Sequence, residues 1–219
     1  MKQIEISFAS NLKLIIMKKL FIAAILFVSG STALMAQSEL AFGIKGGVNF
    51  ANFTGDGGDG FDDDNARTSF NIGALVEIPV TERFAIQPEV FYSGQGFDLV
   101  QRDDEQDTEF QLNYINVPVL AKLYLVKGLY VEAGPQIGFL VDSQLDGPNG
   151  SVDIDEDNFN DIDFGGAVGL GYKFDGGLYL NGRYTQGFSD VYDNGDNVDT
   201  EALDAKNGVF SASIGFIFN

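Results

Sequence analysis

Apolar and polar side chains alternate with a period of two along the chain from Leu40 onward, and no segment there carries the spacing of an amphipathic helix. Between Leu129 and Asp142, one face holds Leu129, Val131, Ala133, Pro135, Ile137, Phe139 and Val141. The other holds Tyr130, Glu132, Gly134, Gln136, Gly138, Leu140 and Asp142. Further on, Ile162, Phe164, Val168, Leu170, Tyr172 and Phe174 alternate with Asp163, Gly165, Ala167, Gly169, Gly171 and Lys173. Near the end, Phe210, Ala212, Ile214, Phe216 and Phe218 alternate with Ser211, Ser213 and Gly215. This pattern predicts eight strands, at 40–53, 67–79, 83–99, 108–126, 129–142, 161–174, 178–190 and 207–219.

The connections alternate in length. Residues 80–82, 127–128 and 175–177 are short turns, whereas 54–66, 100–107, 143–160 and 191–206 are long and acidic. Three short turns and four long loops fit an eight-stranded antiparallel up-and-down barrel with both termini at the short-turn end. Alternation alone does not say which face is apolar, because a soluble barrel turns its apolar face inward and a membrane barrel turns it outward. The polar face decides. It is built from Gly, Ala and Ser with isolated charges, whereas a solvated exterior would carry many long Lys and Glu side chains. The apolar face is broad and aromatic. The fold class expected is therefore all-β, an eight-stranded transmembrane β-barrel.

In the fourth predicted strand Phe110, Leu112 and Tyr114 are in phase with one another, while Val117, Val119, Ala121, Leu123 and Leu125 are out of phase with them. A β-bulge near Ile115 and Asn116 would restore one apolar face. With that bulge, Leu112 and Val119 would both face lipid.

The inward face gathers Lys45, Lys122, Lys173 and Arg183 against Glu77, Glu89, Glu132 and Asp163, four cations and four carboxylates. An eight-stranded barrel has an interior that side chains can fill, and charges there must pair because an unpaired buried charge costs several kcal/mol. Three readings stay open for this set: a structural plug of ion pairs, a proton or ion path, and paired carboxylates of a glycosidase-like site. No gap in the polar face suggests a substrate cavity.

The first 36 residues are not expected to join the fold. Met17-Lys18-Lys19 precedes an apolar run from Leu20 to Val28, followed by small residues up to Ala36-Gln37. That is the order of a secretory signal peptide, and the run is too short to cross a bilayer as a helix, which takes about 20 residues. Cleavage after Ala36 leaves Leu34 at an unfavourable position; cleavage after Ala33, with Ser31 as the small partner, is the alternative. Residues 1–16 lie upstream of a good start at Met17 and read as an over-called extension. The barrel domain is then 37–219, and the formal charge changes from −19 to −22 with 9 cations against 31 carboxylates.

So acidic a surface argues against nucleic acid as a partner, since phosphate contact needs a basic face. The expected partners are outer-membrane lipid and an unidentified envelope protein, with the barrel itself a monomer. The chain has no Cys and no His. Thiol nucleophiles, zinc-thiolate sites and Ser-His-Asp triads are thereby excluded, and neither an enzyme activity nor a cofactor is expected. The acidic loops hold candidate calcium ligands in Asp56, Asp59 and Asp62, and in Asp153, Asp155 and Asp157. Oxygen-rich loops suit Ca²⁺, but neither run matches the twelve-residue loop with its central Gly and terminal Glu. Solvated acidic loops that bridge divalent ions weakly are the reading here.

Several motifs occur in order along the chain: Gly43-Ile44-Lys45-Gly46-Gly47-Val48-Asn49, Gln87-Pro88-Glu89-Val90-Phe91-Tyr92-Ser93-Gly94-Gln95-Gly96, and Tyr114-Ile115-Asn116-Val117-Pro118-Val119-Leu120-Ala121-Lys122. Ala133-Gly134-Pro135, Asp163-Phe164-Gly165 and Gly182-Arg183-Tyr184 continue them. Together they resemble the PorT-like outer-membrane β-barrel family of Bacteroidota. The resemblance implies a small outer-membrane barrel, exported through the inner membrane. It extends to a link with protein export across the outer membrane only through fold-level analogy. The chain departs from many such barrels at its end, where Phe218 is penultimate and Asn219 last. The function expected is a structural or accessory envelope role for a barrel with a plugged lumen and acidic outer loops. A surface receptor or adhesin working through the loops, and a small pore, are the alternatives.

Overall fold

The computed structural model describes residues 40–54, 67–99, 108–147, 150–153, 162–189 and 206–218. The expected leader and almost all of the acidic loop residues lie outside them. The described chain forms nine strands: β1 (Ala41–Thr54), β2 (Arg67–Pro79), β3 (Phe84–Leu99), β4 (Thr108–Tyr124), β5 (Leu129–Gly147), β6 (Gly150–Asp153), β7 (Ile162–Lys173), β8 (Leu178–Gly187) and β9 (Lys206–Phe218). Every pairing is antiparallel. Eight of the nine close a ring, because β4 pairs with β5 and β1 pairs with β9 from Phe42↔Phe218 to Thr54↔Lys206. Closure satisfies the wall's backbone groups strand to strand, which is what allows a sheet to lie in hydrocarbon.

The ninth strand departs from the sequence expectation. β5 runs on to Gly147 rather than stopping at 142, and β6 folds back on it from Gly147↔Gly150 to Gln144↔Asp153. Part of the expected third loop is therefore an extension of the sheet. The other strand ends agree with expectation to within about three residues, the usual uncertainty of hydrogen-bonded boundaries at fraying ends.

At the short-turn end, geometry selects the residues. Gly128 and Gly177 have φ of 82° and 88°, a region that costs other residues strain. Space forbids a side chain there as well. A Cβ on Gly128 would lie 2.5 Å from the Lys173 carbonyl oxygen, and one on Gly177 would lie 2.3 Å from that of Ile217. Thr81 caps the remaining turn, its hydroxyl accepting from the backbone N–H of Phe84 at 3.0 Å.

The two faces separate as an outer-membrane wall requires. Outward, Ile44, Val48, Ile72, Val90, Val119, Val168, Leu170, Leu180 and Ile214 form an exposed aliphatic band. Aromatics flank it on both sides: Phe42, Tyr172, Phe174 and Phe218 toward the short turns, and Phe50, Phe70, Phe164 and Phe210 toward the loop end. Inward, the buried positions mix charge, amide, hydroxyl and large apolar groups. Tyr130 and Tyr179 each lie over a glycine of a neighbouring strand. A Cβ on Gly171 would come within 2.4 Å of the Tyr130 ring, and one on Gly215 within 2.4 Å of the Tyr179 ring. The glycines thus make room for rings that fill the lumen.

The expected flip in β4 does not occur. Leu112, Tyr114, Asn116, Pro118, Leu120 and Lys122 are all buried on one face, and β4 keeps a constant register against β3 from Leu99↔Thr108 to Phe84↔Leu123. The irregularity lies on the neighbouring strand. Asn113 pairs with Asp142 and Tyr114 with Leu140, so Val141 is the extra residue and β5 changes its facing there; beyond it Ser143 is buried. The expectation failed because it treated every apolar residue as lipid-facing. In so narrow a barrel the interior itself takes Leu112, Tyr114 and Leu120.

Candidate functional site

The lumen brings together seven of the eight charged residues picked out in the sequence. At the short-turn end, β2 supplies Glu77, β4 Lys122 and β7 Lys173. Lys122 Nζ lies 2.7 Å from Glu77 Oε2, and Lys173 Nζ lies 2.8 Å from Glu77 Oε1. Tyr124 donates its hydroxyl to the same Oε2 at 2.8 Å. One carboxylate therefore serves two ammonium groups and a phenol. Lys122 also donates to Gln87 Oε1 at 2.9 Å, and its ammonium sits 3.9 Å from the centre of the Tyr130 ring. That ring face offers further electrostatic stabilisation to a desolvated cation.

Gln87 links this cluster to the next by donating to Glu89 Oε1 at 2.7 Å. Glu89 on β3 faces Lys45 on β1 and Arg183 on β8. Lys45 Nζ is 2.7 Å from Glu89 Oε2, and the guanidinium grips the carboxylate with two bonds, Nη1 to Oε2 at 2.8 Å and Nη2 to Oε1 at 2.7 Å. Such forked, charge-assisted pairs are the strong class of hydrogen bond. Arg183 Nε reaches Glu132 Oε1 on β5 at 2.7 Å, and Asn181 donates to the same oxygen at 3.1 Å. Glu89 and Arg183 are essentially withdrawn from solvent. A single network thus runs across β1, β2, β3, β4, β5, β7 and β8.

Asp163 stands apart. Its Oδ2 accepts from Asn207 Nδ2 at 3.0 Å, and it meets no cation among the described residues. Its Oδ1 is buried without a hydrogen-bond partner, as are Glu132 Oε2, Gln136 Oε1 and the Tyr179 hydroxyl. Gln87 joins the two clusters, Tyr124 completes the outer one and Asn181 the inner one, and none of these roles stood out in the sequence. Inward parity was the signal for Gln87 and Tyr130; for the rest only the register brings them to the charges.

Toward the loop end the lumen changes from charge to amide and hydroxyl. Asn71 donates to Asn49 Oδ1 at 2.7 Å, Asn49 to Ser93 Oγ at 2.9 Å, and Ser213 to Asn71 Oδ1 at 3.1 Å. At the opposite mouth, Lys127 and Asp175 pair at 2.8 Å in the open, and this hydrogen bond raises the Lys127 ammonium above its ordinary pKa. Among the described residues no group of three or more acidic side chains is placed to hold a metal ion. Of the calcium candidates, Asp153 ends β6 opposite Gln144, while Asp56, Asp59, Asp62, Asp155 and Asp157 lie outside the described residues.

A family model described as outer membrane protein beta-barrel domain matches residues 35–193. No curated protein matches the chain. The crystal structure of Neisserial surface protein A is similar in fold, with a TM-score of 0.53 at 12% identity over 82% of this chain and 99% of that one. The attachment invasion locus protein Ail of Yersinia pestis gives a TM-score of 0.47 at 14% identity, over 82% of this chain and 99% of that one. The N-terminal β-barrel domain of Pseudomonas aeruginosa OprF gives 0.40 at 12% identity, over 83% of this chain and 100% of that one.

Proposed function

We propose, on the premise that this chain belongs to the outer membrane protein beta-barrel domain family and lies in the outer membrane, that it is a structural or accessory barrel whose lumen is closed by its own side chains. The observation that carries this reading is the continuous ion-pair network from Lys173 through Glu77, Lys122, Gln87, Glu89 and Arg183 to Glu132. A conducting pore needs a water-filled path. Here the cations and carboxylates of seven strands touch each other across the axis, and tyrosine rings occupy the space beside them. Catalysis is not part of the reading. Glu77, Glu89 and Glu132 are each bound to at least one cation, which leaves them poorly placed to act on a substrate.

The barrel then presents an inert wall to lipid, and the acidic sequences that connect its strands away from the short turns are assigned to the outside. The resemblance to the PorT-like family adds support of protein export as a candidate form of the accessory role. A deletion strain tests the proposal. Loss of the protein should raise outer-membrane permeability to large antibiotics, and a copy with trimmed loops should restore the barrier. If only the copy with intact loops restores function, and does so by recovering surface capture of a ligand, the receptor reading replaces the structural one.

A further inference from the structure

We infer that the mouth of the barrel at the short-turn end is a binding vestibule for a small soluble anion, a phosphate or carboxylate, with the Lys173 ammonium as its anchor; the inference rests on the filled-lumen reading. A cavity of about 600 Å³ opens there, and Lys173 and Glu77 line it together with Arg83, Glu82, Lys127 and Asp175. In outer-membrane barrels the short turns face the periplasm, so the cavity meets the aqueous periplasm along the barrel axis.

The charge distribution selects the sign of the ligand. In the inner cluster, Lys45 and Arg183 balance Glu89 and Glu132. In the outer cluster Glu77 alone faces two ammonium groups, Lys122 and Lys173. One positive charge is left over, and it is not shared equally. The Lys122 side chain is 1% exposed and spends its donors on Glu77 and Gln87, while that of Lys173 is 20% exposed. Lys173 has three N–H donors, and the bond to Glu77 Oε1 uses one of them. Lys122 and the Tyr124 hydroxyl hold the other Glu77 oxygen from behind, which lowers the repulsion Glu77 would exert on an incoming anion. At the rim, Lys127 and Asp175 neutralise each other, and Arg83 and Glu82 line the same cavity with one charge of each sign. An ammonium held in a concave, partly desolvated site attracts an anion more strongly than one on an open surface.

The probe is inorganic phosphate, titrated calorimetrically against the barrel in phosphate-free and phospholipid-free detergent at low ionic strength. Saturable binding is expected, weakened by added salt. Lys173→Gln should weaken it about tenfold or more, Lys173→Arg should retain it, and Glu82→Gln should strengthen it slightly. Folding of each variant is checked by heat-modifiable gel mobility. Equal binding by the wild type and Lys173→Gln would overturn the site, as would an absence of binding in the wild type and in Glu82→Gln. Phosphate uptake by proteoliposomes separates the two levels. Absent binding without uptake removes the anion site and leaves the filled lumen standing, whereas uptake removes the filled lumen and with it the vestibule.

Discussion

At the scale of single residues, Glu89 and Arg183 are the centre on which the lumen depends. Glu89 holds both Lys45 and Arg183, and Arg183 holds both Glu89 and Glu132. Removing Glu89 leaves Lys45 without its carboxylate and Arg183 with Glu132 alone, in a site closed to water. Breaking a buried pair in this way costs about 3–5 kcal/mol, most of it the desolvation of the group left behind. Glu89→Ala and Arg183→Ala should each lower the urea midpoint of the refolded barrel in lipid by a corresponding amount. Asp175→Ala should leave it unchanged, because Lys127 and Asp175 are 81% and 78% exposed and water screens them. A midpoint that does not respond to Glu89→Ala would mean that water already fills the lumen. Parity showed the inward side of these residues in the sequence, since a charge on the lipid face at mid-depth costs about 2–4 kcal/mol for Lys or Arg. Partner choice was not legible, because pairing depends on the stagger between strands that are not neighbours in the sequence. Asp163 shows the limit: it fits the charge balance by count, yet its contact is Asn207.

At the scale of elements, alternation located all eight wall strands and the three short turns. It failed where large apolar residues serve the interior. Leu112 and Tyr114 read as lipid-facing in the sequence, and only the closed ring shows that they fill the lumen, as Leu120 and Ile217 do on the inward parity of their strands. A cysteine at 112 should therefore resist a membrane-soluble maleimide, while one at 119 should react quickly; equal labelling would restore the flip in β4. β6 also escaped the sequence reading, since Gly150–Asp153 is short and sits inside an acidic, glycine-containing stretch. The glycines make a second prediction. Gly171→Ala and Gly215→Ala would drive a methyl group into the Tyr130 and Tyr179 rings, and overpacking of this kind costs about 1–3 kcal/mol. A Cβ on Gly182 meets nothing within 4 Å, so Gly182→Ala should be neutral or stabilising in the same urea titration.

At the scale of the whole molecule, fold and compartment follow from the same division of faces. An aliphatic band with aromatic flanks outside, and a charged, ring-filled interior inside, are stable together only in a bilayer. In water the outer wall would expose a continuous apolar surface far beyond what a soluble monomer carries. Planar-bilayer recording of the purified protein asks whether the interior is filled. Ion pairs bridging seven strands predict a flat baseline in molar salt, with the same protein shown to be folded by its heat-modifiable mobility. Stable, stepwise ohmic channels from that folded protein would contradict it.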